Sequence, residues 1–370
     1  MKGKERRLYP GGNTSVGFFS YYDYITSPQA ARVVILKGGP GVGKSTIMKW
    51  IGRAMQERGF DVEYLHCSSD SASLDGIRVL DPEIALIDGT APHIIDPKHP
   101  GVIDEIVHLG DFWDEAAMRP EKEAVLMINQ EISRAYKRAY RFLAAAKCLY
   151  DEIEAVSQVT FNPGTANQIY QAVLADFLGN RRAGMKPGRI RHLFASAITP
   201  TGTENQLSNL VDFLPHKIII KGVPGSGKST LVERLVNAAS ERGFYCEAFH
   251  CAFDPYKYEH AVFPDLGTAL ITSHPPHTYI SSGHSRVVDM NTCLDTTYLV
   301  DQEPRLGELY GLYDQLFSKA LSSLAEAKYW HDELEKHYIP HMDFHRINAY
   351  RETLLQRLLH YAEEHRNGNR

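Results

Sequence analysis

The sequence predicts an α/β protein of two tandem parallel-sheet, three-layer domains, each with an inserted long helical hairpin. Three observations carry this. The chain repeats itself at a fixed offset, because Lys44 and Lys228 hold the same place in two glycine-rich segments (228 − 44 = 184). Within each copy, short β-branched runs alternate with amphipathic stretches, the pattern of strands joined by crossover helices. Each copy then carries an apolar seam of alternating three- and four-residue steps, which is the mark of a long packed helix.

The bulk properties fit that class. At a soft expectation of about 150 residues per domain, the length gives two domains, or three. With 43% hydrophobic and 23% charged residues, the chain is neither disordered nor collagen-like nor of low complexity. No apolar run approaches the roughly 18 residues of a membrane helix. The opening Met1 to Arg7 is basic but leads into no apolar stretch, so no cleaved secretory signal is expected. The five cysteines are too sparse for a disulfide framework, which points to a reducing cytoplasm. A net charge of −5 gives no bulk electrostatic hold on nucleic acid, and neither nucleic acid nor a membrane is an expected partner.

The repeat extends beyond the glycine segments. Glu57-Arg58-Gly59-Phe60 returns as Glu241-Arg242-Gly243-Phe244, His66-Cys67 as His250-Cys251, Asp70 as Asp254, and Pro92-His93 as Pro276-His277. Later the offset falls to 181, since Lys147 matches Lys328 (328 − 147 = 181) and Asp151-Glu152 matches Asp332-Glu333. The boundary is expected in the turn-forming Gly184-Met185-Lys186-Pro187-Gly188, giving domains 1–187 and 188–370.

Each domain is then read in order. Arg32 to Lys37 and Lys217 to Lys221 are buried strands, followed by a glycine loop and a helix to about Arg58 or Arg242. Asp61 to His66 and Tyr245 to His250 are second strands, Ile84 to Asp88 and Thr268 to Thr272 third strands, and Ile106 to Leu109 and Val287 to Met290 fourth strands. Arg191 to Ile198 reads as a fifth strand, with Arg7-Leu8-Tyr9 its weaker copy. Two arrangements stay open: each completes the unit that follows it, or the N-terminal strand completes the second unit and Arg191 to Ile198 the first. Val125, Ile128, Ile132, Ala135, Ala139, Phe142, Ala146, Leu149, Ile153 and Val156 form the first seam. A helix of about 35 residues there would be roughly 50 Å long. A second helix, Ala166 to Leu178, is expected to fold back on it, for a hairpin over about 121–180. Leu309, Leu312, Leu316, Ala327, Trp330 and Leu334, then Ile347 to Tyr361, repeat it over about 304–362.

The chemistry sits in the two glycine segments, Gly38-Gly39-Pro40-Gly41-Val42-Gly43-Lys44-Ser45-Thr46 and Gly222-Val223-Pro224-Gly225-Ser226-Gly227-Lys228-Ser229-Thr230. The glycines let successive N–H groups turn toward phosphate oxygens, and the helix behind adds the positive end of its dipole. Lys44 and Lys228 would reach the β- and γ-phosphates, Ser45 and Ser229 would offer a hydroxyl to Mg²⁺, and Thr46 and Thr230 would lie near the α-phosphate. These segments resemble those of the P-loop NTPase superfamily. The doubled arrangement resembles, over essentially the whole chain, a little-characterised bacterial family of tandem P-loop proteins labelled ATPase or nucleotide-kinase-like. The resemblance implies a P-loop fold in both domains, ATP and Mg²⁺ as ligands, and adenine over guanine, there being no Asn-Lys-x-Asp segment.

A carboxylate beside the metal is also implied. Ile84-Ala85-Leu86-Ile87-Asp88 resembles the Walker B pattern and makes Asp88 a metal and catalytic candidate with Ser45 and Ser229. The second copy departs, since Thr272 stands at the matching position (88 + 184 = 272) and a neutral hydroxyl holds Mg²⁺ weakly. Gly89 and Ser273 follow these positions, where some ATPases carry a water-activating Glu. Asp70 and Asp254, retained just past the second strand at the edge where ligands bind, are candidate bases or acceptor-orienting residues, against a loop-capping role. His66-Cys67 and His250-Cys251 read as packing rather than metal ligands, because adjacent strand residues face opposite ways. His93 and His277 are candidate phosphate sensors or proton carriers. Arg134, Lys137, Arg138 and Arg141 form a basic helical face, solvated, or else an arginine source for transition-state charge or a contact for an anionic partner.

The expected function is an Mg²⁺-dependent ATP-binding protein, hydrolysing ATP or transferring its phosphoryl group mainly in the first half, with a more degenerate second site. The alternatives are a small-molecule or nucleotide kinase and a nucleotide-gated interaction module with little turnover. A nucleoside triphosphate is the expected partner, with a small acceptor or a protein as the second.

Overall fold

A computed structural model describes residues 1–91, 94–181, 183–275, 278–280 and 285–368. His93 and His277, with the prolines before them, lie outside the described residues. In chain order the first repeat gives β1 (Glu5–Leu8), β2 (Gly11–Thr14), β3 (Gly17–Ser20), β4 (Arg32–Lys37), α1 (Lys44–Glu57), β5 (Val62–His66), β6 (Leu74–Val79), β7 (Ile84–Asp88), β8 (Asp104–His108), α2 (Glu115–Met118), α3 (Lys122–Gln158) and α4 (Pro163–Leu178). The second gives β9 (Ile190–Phe194), β10 (Ser196–Thr199), β11 (Gly202–Asn205), α5 (Leu207–Val211), β12 (His216–Lys221), α6 (Lys228–Glu241), β13 (Cys246–His250), β14 (Tyr258–Phe263), β15 (Thr268–Ser273), β16 (Ser285–Asp289), α7 (Thr296–Asp301), α8 (Glu303–Tyr338) and α9 (Phe344–Gly368).

The first compact unit comprises Met1–Gly11, Ser20–Arg138 and Ser323–Arg370. Its six-stranded sheet has the order β1-β5-β6-β7-β4-β8. β1 is parallel to β5, and β4 is parallel to both β7 and β8. β6 runs antiparallel between β5 and β7. The expectation of a parallel sheet is therefore corrected to a mixed, largely parallel one. Two hydrogen bonds close the turn that sends the chain back, Cys67 N–H to Ser73 C=O and Ser73 N–H to Asp70 C=O. The strand is hard to read in advance, because Asp75 and Gly76 interrupt its apolar alternation.

The second unit comprises Gly12–Phe19 and Ala139–Ser322. Its sheet repeats the order as β16-β12-β15-β14-β13-β9, again with one antiparallel strand, β14. β9 is parallel to β13 as β1 is to β5, so each edge strand completes the sheet that follows it in sequence. The expected fifth strand, Arg191 to Ile198, is two strands broken at Ala195, the second pairing with β11 in an antiparallel ribbon.

The long helices form as the seams predict, with 37 residues in α3 and 36 in α8. Leu312, expected in the second seam, is instead 44% exposed. The helices after them cover sheets. Val173, Phe177 and Leu178 of α4 join the core of the second unit with Leu231, Leu235 and Phe263. Ile347, Leu354, Leu355, Leu358 and Ala362 of α9 join that of the first unit with Ile47, Ile51 and Leu86. Each core thus takes its covering helix from the other repeat, and the compact units interleave the sequence halves. Among the described residues no helix is long and apolar enough to cross a membrane.

Candidate functional site

The two glycine loops close in the same way. Gly41 and Gly43 have φ of +70° and +90°, Gly225 and Gly227 +82° and +89°. Those values lie in the left-handed region that a side chain resists. The helix begins immediately after, at Lys44 or Lys228, so its first N–H groups face the mouth of the loop. Lys44 Nζ donates to the carbonyls of Gly38 and Gly39, each at 2.8 Å. Lys228 Nζ donates to those of Gly222 and Val223 at the same 2.8 Å. Val42 and Ser226 are buried beneath the loops, whereas Thr46 and Thr230 are exposed on the first helical turn.

A long helix of the other repeat ends on each loop. At the first, a side chain added at Gly39 would stand 2.9 Å from the Tyr338 ring, and one at Gly41 2.8 Å from Ile339. At the second, a Cβ on Gly225 would meet the Glu154 carbonyl at 2.4 Å, and one on Gly227 the Phe161 ring at 3.1 Å. All four glycines are needed for close approach, and Gly41, Gly225 and Gly227 for backbone conformation as well.

Of the candidate carboxylates, Asp88 comes nearest to a loop lysine, its Oδ2 lying 3.6 Å from Lys44 Nζ. Its Oδ1 accepts from Thr90 N–H at 2.9 Å, which fixes the carboxylate at the strand end. Ser45 Oγ accepts from Leu74 N–H at 3.0 Å, tying the first helical turn to β6. In the second unit Thr272 holds the position of Asp88, and its N–H donates to His260 Nδ1 at 3.2 Å.

Asp70 caps its turn. Its side chain accepts from Ala72 N–H at 3.1 Å and from Ser73 O–H at 2.9 Å, and Lys328 Nζ of α8 stands 3.8 Å away. Asp254 accepts from Tyr256 N–H at 3.3 Å and pairs with Lys147 of α3 at 3.2 Å and with Lys257 at 3.7 Å. Each retained aspartate therefore faces a retained lysine of the other repeat, and that lysine also pairs with a retained aspartate one helical turn on, Asp332 or Asp151. These neighbours push both lysines upward against their partial burial. In the sequence, Lys147 and Lys328 mark only the register of the repeat. Their double retention is the available signal, but nothing in it tells which aspartate each meets.

The second loop opens into a cavity of about 1020 Å³. Lys228, Ser229, Thr230, Asp254, Glu259 and Thr272 line its polar part. Aromatic side chains make up much of the remaining wall, among them Tyr150, Phe161, Tyr170, Tyr313 and Phe317. Arg234 lies over Tyr170, its Cζ 3.6 Å from the ring centre, held by Asn167 at 3.0 Å. Burial pulls the Lys228 ammonium down to about 8, because little water remains to solvate its charge. Burial likewise pushes Glu259 up to about 7, against the pull of Lys228.

His66-Cys67 and His250-Cys251 are expected to pack; His250 does, whereas Cys251 lines the cavity. His250 Nε2 meets His192 Nδ1 at 2.8 Å, with the Phe194 and Tyr258 rings beside it, and burial pulls His250 down to about 3. Burial pushes the Cys67 thiol well up and that of Cys251 up to about 12. Among the described residues no group of three His, Cys, Asp or Glu side chains is placed to hold a metal ion. Mg²⁺ asks less of a protein than that, since it keeps water and takes one or two carboxylates with phosphate oxygens. Ser45 with Asp88 fits that donor set, and so does Ser229 with the cavity's acidic side chains. On the basic face, Arg134 pairs with Glu131 and Arg138 with Glu326.

Comparison of the chain with family models, with curated proteins and with solved structures returns no match.

Proposed function

We propose that the chain is an Mg²⁺-dependent ATP-binding protein of the P-loop kind, with a triphosphate site at each glycine loop. Phosphoryl transfer or hydrolysis belongs mainly to the first loop, where Asp88 stands beside Lys44. The second, with Thr272 in that position, chiefly binds. One observation supports the reading above the others: two loops at equivalent places in the repeat set a lysine Nζ on the same two carbonyls, behind the same left-handed glycines and ahead of a helix N-terminus. At the second loop the desolvated Lys228 gains further from an anion, which would supply the charge partner that water no longer provides.

In this role Ser45 and Asp88 would hold Mg²⁺ at the first loop, and Ser229 at the second. The metal supplies charge neutralisation on the phosphate oxygens. The lysines orient those oxygens, and the packed ends of α3 and α8 keep the loops from relaxing. Asp70 and Asp254, which cap their turns, would serve in this reading as bases or acceptor-orienting carboxylates.

Calorimetric titration of nucleotide-free protein with a non-hydrolysable ATP analogue and Mg²⁺ tests this. Up to two sites per chain are expected, Lys44→Ala removing one and Lys228→Ala the other. Wild-type protein that binds no analogue refutes the reading. A second reading, transfer to a small acceptor at the second loop instead of the first, is favoured by the cavity there, whose volume of about 1020 Å³ lies at the top of the roughly 300–1,000 Å³ usual for ligand sites. It predicts ATP consumption stimulated by an acceptor rather than by water alone.

A further inference from the structure

The antiparallel strand absent from the sequence reading carries a feature that both repeats keep. Leu65 pairs with Gly76, but His66 pairs with Leu74, so Asp75 is an extra residue in β6. In the second sheet Phe249 pairs with His260 and His250 with Tyr258, which leaves Glu259 as the extra residue in β14. The two positions are related by the repeat offset (259 − 75 = 184), and both are acidic. A bulge of this kind bends the strand and re-aims the side chain of its extra residue, and such bulges gather beside functional sites.

Glu259 is aimed at the second loop. It lines the cavity with Lys228, Ser229 and Thr272, and its side chain is 15% exposed. Its Oε2 atom is buried and makes no hydrogen bond, although Lys228 and the Ser196 hydroxyl near the carboxyl group favour its charge. His260 Nε2 stands 3.6 Å from that oxygen, too far to donate to it. A carboxylate oxygen out of water and without a donor is costly unless a charge completes it. In the first unit Asp75 is also buried, and its charge helps to push the neighbouring Tyr22 and Cys67 upward. There Asp88 is present at the strand end. In the second unit the strand end is neutral and the bulge residue is longer by one methylene.

We propose that Glu259 is the metal-positioning carboxylate of the second loop, taking Mg²⁺ with the bound triphosphate in the role assigned to Asp88 at the first. The inference rests on the nucleotide reading of that loop and deepens it: the second site holds a metal–nucleotide complex despite Thr272.

The test uses the full chain carrying Lys44→Ala, which silences the first loop, with Mn²⁺ as a spin-active probe in Mg²⁺'s place. In the presence of saturating non-hydrolysable ATP analogue, Glu259→Gln should weaken Mn²⁺ binding by about tenfold or more, a typical loss for a metal-supporting side chain. Affinity for the metal-free analogue should stay within about threefold. Thr272→Asp added to Glu259→Gln should recover the Mn²⁺ site. Should the glutamine variant fold poorly, Glu259→Asp keeps the charge but shortens its reach, and at least threefold weaker Mn²⁺ is expected. Parental Mn²⁺ affinity in either folded variant overturns the assignment. If the Lys44→Ala protein binds no analogue with or without metal, the nucleotide reading of the second loop fails first, and this inference falls with it.

Discussion

Expressing residues 1–187 alone tests how the cores are assembled. By sequence this segment is a whole repeat. By structure it lacks α9, whose Ile347, Leu354, Leu355 and Leu358 are at most 3% exposed in the core of the first unit. Burying each such side chain stabilises by roughly 1.5–3 kcal/mol, so the four together contribute on the order of 6–12 kcal/mol, an upper value because denatured chains already bury some surface. A domain's whole net stability is about 5–15 kcal/mol. The fragment should therefore keep helical far-UV dichroism but show no cooperative urea transition, and it should bind a hydrophobic dye. Trp50 offers a local reporter in the full chain, because Arg351 of α9 lies 4.5 Å over its ring. There Leu354→Ala should cost about 2–5 kcal/mol in the transition that Trp50 fluorescence follows. A cooperative transition in residues 1–187, with stability near that of the full chain, would refute the argument.

Further outcomes follow from the loops and the buried histidine. Lys44→Ala should lower ATP turnover by roughly 10²-fold or more, while Lys228→Ala weakens analogue binding more than turnover; the reverse pattern would show the assignment of the two loops to be backwards. Asp70→Asn keeps hydrogen-bonding capacity at the turn but cannot accept a proton, so turnover should fall by roughly 10²-fold with analogue affinity within a few-fold. Unchanged turnover in a folded variant would limit Asp70 to capping. Gly225→Ala should abolish analogue binding at the second loop and destabilise by roughly 1–3 kcal/mol, since φ is +82° and its Cβ would stand 2.4 Å from the Glu154 carbonyl; parental binding by isothermal titration would count against so close an approach of α3 to the loop. His250 is held near 3 against an ordinary 6.5, so the unfolded chain binds the extra proton between those values. Its contribution is complete above about pH 6.5 and is lost as the pH falls toward 3. Urea melts at several pH values should therefore show His250→Gln losing less stability than wild type across that window.

Much of the molecule can be read along the chain because the interactions concerned are local. Strand β4, the loop lysines and the starts of α1 and α6 follow from β-branched runs, glycine spacing and helical periodicity within a single strand–loop–helix stretch. The repeat needs only comparison of the sequence with itself. The place of Asp88 is legible for the same reason, since an apolar strand ending in Asp sets the carboxylate at the sheet edge beside the loop. What tertiary structure alone decided is partnership. α4 and α9 present apolar faces that suit either sheet equally well as patterns, and only packing assigns Phe177 to the second core and Leu354 to the first. The same holds for charge. Lys147 and Lys328 each match in sequence, but the pairs with Asp254 and Asp70 arise because a long helix ends over the loop of the opposite repeat. β6 and β14 were illegible for a related reason: their extra residues, Asp75 and Glu259, break the two-residue alternation that marks a strand, and a bulge is a property of two strands in register, which no single stretch of sequence contains.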